Sequence, residues 1–293
     1  MKPKISVVLP VWNGAKFVGA AIDSILSQTF ADFELVVVDD GSDDGTADIL
    51  RSYTDSRLKV HSVPHGGIVT ALNLGINRSS AALIARQDAD DLSRPDRLQR
   101  QWDALQREPR AVLCFTDHSL LNETAAEVGA ARLPRSRSFI ALRLCYQCPF
   151  AHGSVLFAKE AFLAAGGYVA DERHAEDYAL WGRMLELGDF VALPEALIRF
   201  RIHSSSVSKR NLETQERLTF QIASENCRRF MGLNEVDAQR AATLLRTPAR
   251  ERKMGDWLWF LSSCAPKLRG KSAETFGWLA WQTAKRLVPV SRV

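Results

Sequence analysis

Within the first 120 residues, short apolar runs alternate with stretches of helical periodicity, and this alternation constrains the fold more than any other feature. The runs are Ile5–Leu9, Phe33–Val38, Leu58–Val63, Ala82–Gln87 and Ala111–Phe115. Between them, Ala15–Gln28, Gly45–Tyr53, Ile68–Asn77 and Arg97–Gln106 space their apolar residues as an amphipathic helix does, for example Val18, Ala21, Ile22 and Ile25. Strands that are apolar throughout are buried on both faces. Alternating them with helices gives a mostly parallel sheet covered on both sides. The expected fold class is therefore α/β, a doubly wound, Rossmann-like sheet. Ligands of such sheets sit beyond the carboxyl ends of the strands.

Three of those strand ends are polar, and in a parallel sheet they share one edge. They are Pro10-Val11-Trp12-Asn13-Gly14, Asp39-Asp40-Gly41-Ser42 and Asp88-Ala89-Asp90-Asp91. Three carboxylates within four positions repel one another unless a cation neutralises them. A hard divalent ion such as Mg²⁺ or Mn²⁺, shared with substrate phosphates, takes such oxygen ligands. The competing reading is a solvated acidic turn before a helix, with Ser93 or Asp91 as N-cap and Pro95 in the first turn. Arg86 precedes the acidic run, where Asp88 or Asp40 could pair with it. Gly41-Ser42-Asp43-Asp44-Gly45 fits neither a dinucleotide fingerprint nor a P-loop, and Gly66-Gly67 reads as a plain loop before a helix.

Further along, Phe139–Tyr146 reads as a helix, Ser154–Phe157 as a short strand, and Lys159–Ala165 as a helix closed by Gly166-Gly167. Glu176-Asp177 opens another helix that runs to about Leu187. Phe190–Leu193 and Leu197–Ile202 read as separate strands, and a boundary falls near 205–210. Residues 1–200 carry 21 Lys and Arg against 26 Asp and Glu, whereas residues 201–293 carry 17 against 8. The net charge of +4 thus hides a basic C-terminal region. That region also holds Trp257, Trp259, Trp278 and Trp281, with Lys285 and Arg286. An aromatic–basic segment over 255–290 suits a membrane interface or a helical subdomain that packs its aromatics on the catalytic domain or on a second copy. No run of 18 apolar residues and no secretory leader is found, so a cytoplasmic protein is expected, with the inner membrane face as an alternative. The five cysteines are expected to be reduced, and Cys145-x-x-Cys148 to be simple packing.

As an ordered set, these motifs resemble the inverting glycosyltransferases of family 2, which have the GT-A fold. The resemblance rests on Ser6–Gly14, Ser24–Phe30, Val38–Ser42, Ala85–Asp91 with Pro95 and Arg97-Leu98, Gly166-Gly167-Tyr168, Glu176-Asp177-Tyr178-x-Leu180-Trp181-x-Arg183 and Arg201-x-His203. It covers residues 4–208 and leaves the tail unmatched. It implies a GT-A-like catalytic domain over 1–208, with a nucleotide-sugar half over 1–120 and an acceptor half over 121–208, followed by a helical C-terminal appendage over 209–293.

The resemblance also implies a nucleotide-diphosphate-sugar donor, commonly UDP-linked, and Mn²⁺ or Mg²⁺. Pro10, Val11 and Asn13 would line the base pocket and Asp40 would meet the uracil edge. Asp88 or Asp90 would touch the ribose, with Arg86 beside them. Asp90 would be the main metal ligand, Asp91 its alternative, and His203 a further contact to metal or diphosphate. Asp177 would be the base that takes the acceptor's proton, with Glu176 beside it. Arg201 would neutralise phosphate or pair with a carboxylate. Trp181 would be part core and part platform for a sugar ring, and His152 would lie near the acceptor. The acceptor would be a glycan or lipid-linked hydroxyl in surface polysaccharide synthesis. No nucleic-acid partner is expected, and an oligomer remains open. The rivals are a catalytically silent scaffold or sugar-binding subunit, a nucleotidyltransferase and an Asp-nucleophile phosphatase. Intact acids at Asp40, Asp88, Asp90, Asp91 and Asp177 speak against a silent copy, and Leu92 stands where the phosphatase motif needs a hydroxyl or branched residue.

Overall fold

A computed structural model describes residues 2–122, 124–131, 133–202, 212–267, 275, 277–280 and 282. The chain divides into two compact units, residues 1–133 with 150–210, and residues 134–149 with 211–293. In chain order the elements are β1 (Ile5–Val11), α1 (Val18–Leu26), β2 (Phe33–Asp39), α2 (Thr46–Ser52), β3 (Leu58–Ser62), α3 (Ile68–Arg78), β4 (Leu83–Arg86), β5 (Leu92–Ser93), α4 (Arg97–Arg107), β6 (Ala111–Leu121) and β7 (Glu127–Ala131). Then come α5 (Arg137–Leu144), β8 (Leu156–Ala158), α6 (Lys159–Ala164), α7 (Glu176–Leu187), β9 (Asp189–Arg201), α8 (Leu212–Met231), α9 (Glu235–Arg246) and α10 (Met254–Trp259).

All strands belong to the first unit. Their order is β3-β2-β1-β4-β8-β6-β9-β5, with β7 paired to β6. β1, β2, β3 and β4 are parallel. β8 runs against both β4 and β6, and β9 runs parallel to β6. Hence β1, β2, β4, β6 and β9 all end at one edge, and the antiparallel β8 begins there. β1 and β2 are buried at every position, as central strands must be when helices cover both faces, whereas the edge strand β3 is largely exposed. Ile5, Val7 and Leu9 of β1 pack with Ala21, Ile22 and Ile25 of α1 and with Leu98 and Leu105 of α4.

Two departures from the sequence reading have plain causes. The runs Phe190–Leu193 and Leu197–Ile202 are one strand, β9. Its pairing with β6 slips between Leu193↔Thr116 and Ala196↔Asp117, so Pro194 and Glu195 form a bulge. A proline cannot donate to a ladder, and the bulge is where a strand tolerates one. Residues 134–149, expected in the acceptor half, group instead with the C-terminal helices. There Asn226 of α8 donates through Nδ2 to the Leu144 carbonyl of α5 at 2.9 Å, and Ser138 shares a hydrogen bond with Thr275.

The described tryptophans of that second unit turn inward. Trp257 is 1% exposed and stacks on Phe260, Trp278 packs on Phe139 and Tyr146, and Arg240 lies 4.1 Å over the Trp259 ring. Trp281, Lys285 and Arg286 lie outside the described residues. Among the described residues no helix is long and apolar enough to cross a membrane, and all five cysteines are free thiols.

Candidate active site

The ends of β1 and β2 are stitched together first. Asn13 takes a left-handed backbone, φ 53°. Its N–H donates to Ser42 Oγ and its Oδ1 accepts from the Asp43 N–H, both at 2.9 Å. Asp44 Oδ1 accepts from the Thr46 N–H at the start of α2, and its other oxygen accepts from the Ala15 N–H. Asp40 is turned into the next loop: its two oxygens accept from the Gly66 and Gly67 amides at 2.8 and 2.9 Å, and His65 Nδ1 lies 2.8 Å from Oδ2. The Gly66-Gly67 loop thus has a definite job that its composition did not reveal. Trp12, 54% exposed, stacks on His65 at 4.4 Å. Pro10 and Val11 are buried, and the Val11 side chain is part of the core. Only their backbone is left to line a pocket.

The acidic run follows β4. Arg86, 4% exposed, pairs with Asp88, the first of its two expected partners. Burial, together with the neighbouring Asp90, pushes the Asp88 carboxyl up against that pairing. Asp91 is 1% exposed; its Oδ1 accepts from the Arg201 N–H, and its Oδ2 is buried with no hydrogen-bond partner among the described residues. Burial and the charges of Asp88 and Asp90 raise its pKa well above the ordinary carboxylate range. Asp90 remains partly exposed. A Cβ on Gly153 would come within 2.8 Å of Asp88 Oδ2 and 3.3 Å of Asp91 Oδ2, so only glycine lets the start of β8 approach these acids.

Arg201 directs two of its guanidinium nitrogens at backbone carbonyls. Nε donates to the Asp90 carbonyl at 2.9 Å, Nη1 reaches the Asn122 carbonyl, and the group lies over the Phe17 ring. It fastens the backbone of the acidic turn to the end of β6. Trp181 is wholly buried among Phe150, Phe157 and His152, which leaves no face for a sugar ring. A tryptophan on the inward side of α7 is core first, and the sequence spacing alone did not separate the two roles. His203 lies outside the described residues.

α7 opens with Glu176 and Asp177. Glu176, 7% exposed, bends back so that Oε2 accepts from the His174 N–H at 2.7 Å, holding a left-handed residue at φ 79°. Asp177 is half-buried and its Oδ1 accepts from the Tyr178 N–H. The buried Tyr168 phenol feels the charges of Arg86, Asp177, Glu176 and Asp88, which places the start of α7 beside the acidic turn.

Sequence reasoning passed over Gly153 and the Asn73 contact to Tyr168, and it gave Arg97 a place in a motif but no role. The only signal of the first two was residue type: a glycine before a strand and an asparagine inside a helix.

The oxygen donors suit a hard divalent cation, because crowded carboxylates with an unpartnered buried oxygen are what such an ion relieves. Among the described residues, no three His, Cys, Asp or Glu side chains already converge on one point. One or two protein carboxylates would therefore act, with diphosphate and water completing the shell.

The fold is that of the GT-A glycosyltransferases. The family model for glycosyl transferase family 2 matches residues 6–163, and the chain belongs to that family. The O-antigen biosynthesis glycosyltransferase WbnJ of Escherichia coli is 33% identical over 233 residues, 78% of this chain and 89% of that protein. Among solved structures, Staphylococcus aureus TarS in complex with UDP-GlcNAc superposes with a TM-score of 0.66 at 14% identity, over 97% of this chain and 88% of that one. The mannosyltransferase PcManGT from Pyrobaculum calidifontis, solved with GDP-Man and Mn²⁺, gives 0.58 at 18% identity, over 98% and 81%. Both likenesses speak for the fold.

Proposed function

We propose that this glycosyltransferase moves a sugar from a nucleoside-diphosphate donor, UDP-linked by preference, to a hydroxyl of a glycan or lipid-linked acceptor during surface polysaccharide assembly, with inversion at the anomeric carbon. The observation that carries the reading is one edge bearing Asp40 after β2, Asp88 and Asp90 in the turn after β4, and Asp177 at the start of α7. The similarity to WbnJ supports the polysaccharide role, and the nucleotide sugars held by TarS and PcManGT support the donor class.

In this reading the exposed Trp12, stacked on His65, faces the base. Asp40 meets it through a lone pair left free by the loop. Asp88 contacts the ribose, and Arg86 keeps its carboxylate in place. Asp90, partly exposed, would hold Mn²⁺ or Mg²⁺, with the unpartnered Oδ2 of Asp91 as the alternative ligand. When bound, the cation offsets the charge of the departing diphosphate. Asp177 removes the acceptor proton as the hydroxyl attacks. Glu176 shapes the turn before it.

Calorimetry of UDP, GDP and dTDP, with and without Mn²⁺, on wild type and Asp90→Asn tests this. Metal-dependent binding of one nucleotide, lost in the variant, is expected. No binding of any nucleotide would remove the donor reading. NMR of the product's anomeric proton tests inversion, and a retained configuration would overturn it.

A further inference from the structure

His152 stands at the edge where β8 begins, one residue from the Gly153 that abuts Asp88 and Asp91. Its Nε2 lies 2.7 Å from the Tyr168 hydroxyl. The ring is held on two sides, by Tyr168 at 5.4 Å between centroids and by the edge of Trp181 at 5.9 Å. Tyr168 is itself rigid. Gly166 and Gly167, at φ 84° and 65°, turn the chain into it. Asn73 of α3 grips its backbone at both ends, donating from Nδ2 to the Tyr168 carbonyl at 2.8 Å and accepting at Oδ1 from its N–H at 3.3 Å. The Phe162 ring closes its flank at 5.3 Å.

Hydrogen-bond accounting fixes the direction of the His152–Tyr168 contact. A phenol has one proton to donate. Tyr168 is 4% exposed, and among the described residues His152 Nε2 is the one hydrogen-bond partner of its hydroxyl. If Nε2 carried the proton, the buried O–H would point at nothing, which costs about 1–3 kcal/mol. The phenol therefore donates to Nε2. In a neutral imidazole the proton then sits on Nδ1. Burial and the charge of Arg86 hold His152 well below the ordinary histidine range, so the ring is neutral. His152 is only partly covered, and Nδ1 has no partner among the described residues.

From this geometry we propose that His152 is a sugar-recognition residue: Tyr168 fixes its tautomer so that Nδ1–H is donated to a hydroxyl of the sugar bound beside Asp88. A neutral donor next to Arg86 suits an uncharged hydroxyl better than a diphosphate. Tyr168 is then a positioning residue that acts through His152. The inference rests on the nucleotide-sugar reading, because that reading puts a sugar at this edge.

The test separates the two nitrogens. Asparagine places its amide nitrogen near Nδ1, whereas glutamine places it near Nε2. With the nucleotide sugar that the wild type turns over, His152→Asn is expected to stay within about threefold of wild-type kcat/KM, and His152→Gln to lose roughly tenfold or more. A purely structural bond to Tyr168 gives the reverse ranking, with Gln rescuing and Asn failing, and would overturn the proposal. Two readouts locate the hydroxyl. A rise in donor KM together with slower donor hydrolysis in the absence of acceptor assigns it to the donor sugar, whereas a rise in acceptor KM alone assigns it to the acceptor. A change in neither overturns the proposal.

Histidine ¹⁵N NMR of the full chain without ligand is expected to show His152 as the Nδ1–H tautomer, and Tyr168→Phe to lose that preference. An Nε2–H signal in the wild type would overturn the proposal. This arm needs no substrate. A failure of the nucleotide-sugar reading, with no donor turned over, is therefore distinguishable from a wrong tautomer.

Discussion

Asp91 accepts the backbone N–H of Arg201 through Oδ1 at 2.8 Å, joining the turn after β4 to the end of β9 across 110 positions of sequence. The bond separates the roles of two adjacent acids, because Asp91 is thereby buried while Asp90 stays partly exposed. Asp91→Ala leaves the amide without an acceptor and is expected to cost about 2 kcal/mol of stability. Asp91→Asn keeps an acceptor oxygen and should fold nearly as the wild type does. Asp90→Asn should unfold within about 0.5 kcal/mol of wild type, as surface changes do, yet lose Mn²⁺-dependent nucleotide binding. Urea denaturation and calorimetry on the three variants check this. A stable Asp91→Ala protein with weakened metal-dependent binding would exchange the two roles.

Glu34 makes folding acid-sensitive. It is 3% exposed and accepts from Ser6 Oγ, from the Ser80 N–H and hydroxyl, and from Lys59. Burial alone would raise its pKa, but those donors outweigh it and hold the group at about 2 instead of 4.5. A depressed carboxylate contributes stability that is fully present above its unfolded pKa and is lost as pH falls through its folded value. The expected contribution is about 2 kcal/mol, reduced because Lys59 is half exposed. Between pH 4.5 and 2 the wild type should lose stability steeply, and Glu34→Gln should lose less across that window while being weaker at pH 7. Parallel pH slopes for the two proteins would show that Glu34 does not titrate in this way.

Gly153 is a steric gate for the acidic turn. The Cβ of alanine there would sit 2.8 Å from Asp88 Oδ2, closer than real Cβ contacts come, so Asp88 or β8 must shift. Gly153→Ala is expected to weaken nucleotide-diphosphate binding by at least about tenfold, with a change of roughly 1 kcal/mol or less in stability. Calorimetry beside thermal unfolding separates the two effects. Unchanged affinity would mean that the turn is more pliable than its packing implies.

Much of this architecture was legible because a doubly covered parallel sheet writes its strands as unbroken apolar runs and its site as the polar residues after them. Ile5–Leu9 followed by Asn13, and Ala82–Gln87 followed by Asp88, carry that pattern openly. β7 did not, since Glu127–Ala131 is almost wholly exposed and has no apolar face to declare it. β9 was split on paper by Pro194, because a bulge is a property of pairing with β6 and not of the strand's own residues. The same limit applies within the site. Nothing in four consecutive residues says that Asp91 turns inward to Arg201 while Asp90 does not. Likewise, Arg201 and Trp181 show their roles only once the Asp90 carbonyl, Phe150 and Phe157 surround them.

Arg97 is the clearest case of a motif residue whose role only its contacts show. It is fully buried and makes five hydrogen bonds, all to neutral acceptors: Gln101 Oε1, Gln87 Oε1, Ser93 Oγ and the Arg86 and Val155 carbonyls. Burial, with Arg86 nearby, draws its pKa down to about 9, so the fold holds this cation against its solvation preference. Gln87 in turn donates to the Asp88 and Asp91 carbonyls, and Ser93 donates to Gln87. The shape of the acidic turn therefore hangs on one guanidinium fork. Lysine has three donors on a single nitrogen and cannot reproduce the fork. Arg97→Lys is expected to lose about 2 kcal/mol, and Arg97→Met about 3 kcal/mol or more, because each leaves buried acceptors unpaired. Both should also weaken nucleotide binding well below their unfolding temperatures, since the turn from Asp88 to Asp91 loses the support of Gln87. A lysine variant with wild-type melting temperature and affinity would show that the turn holds its shape without the network.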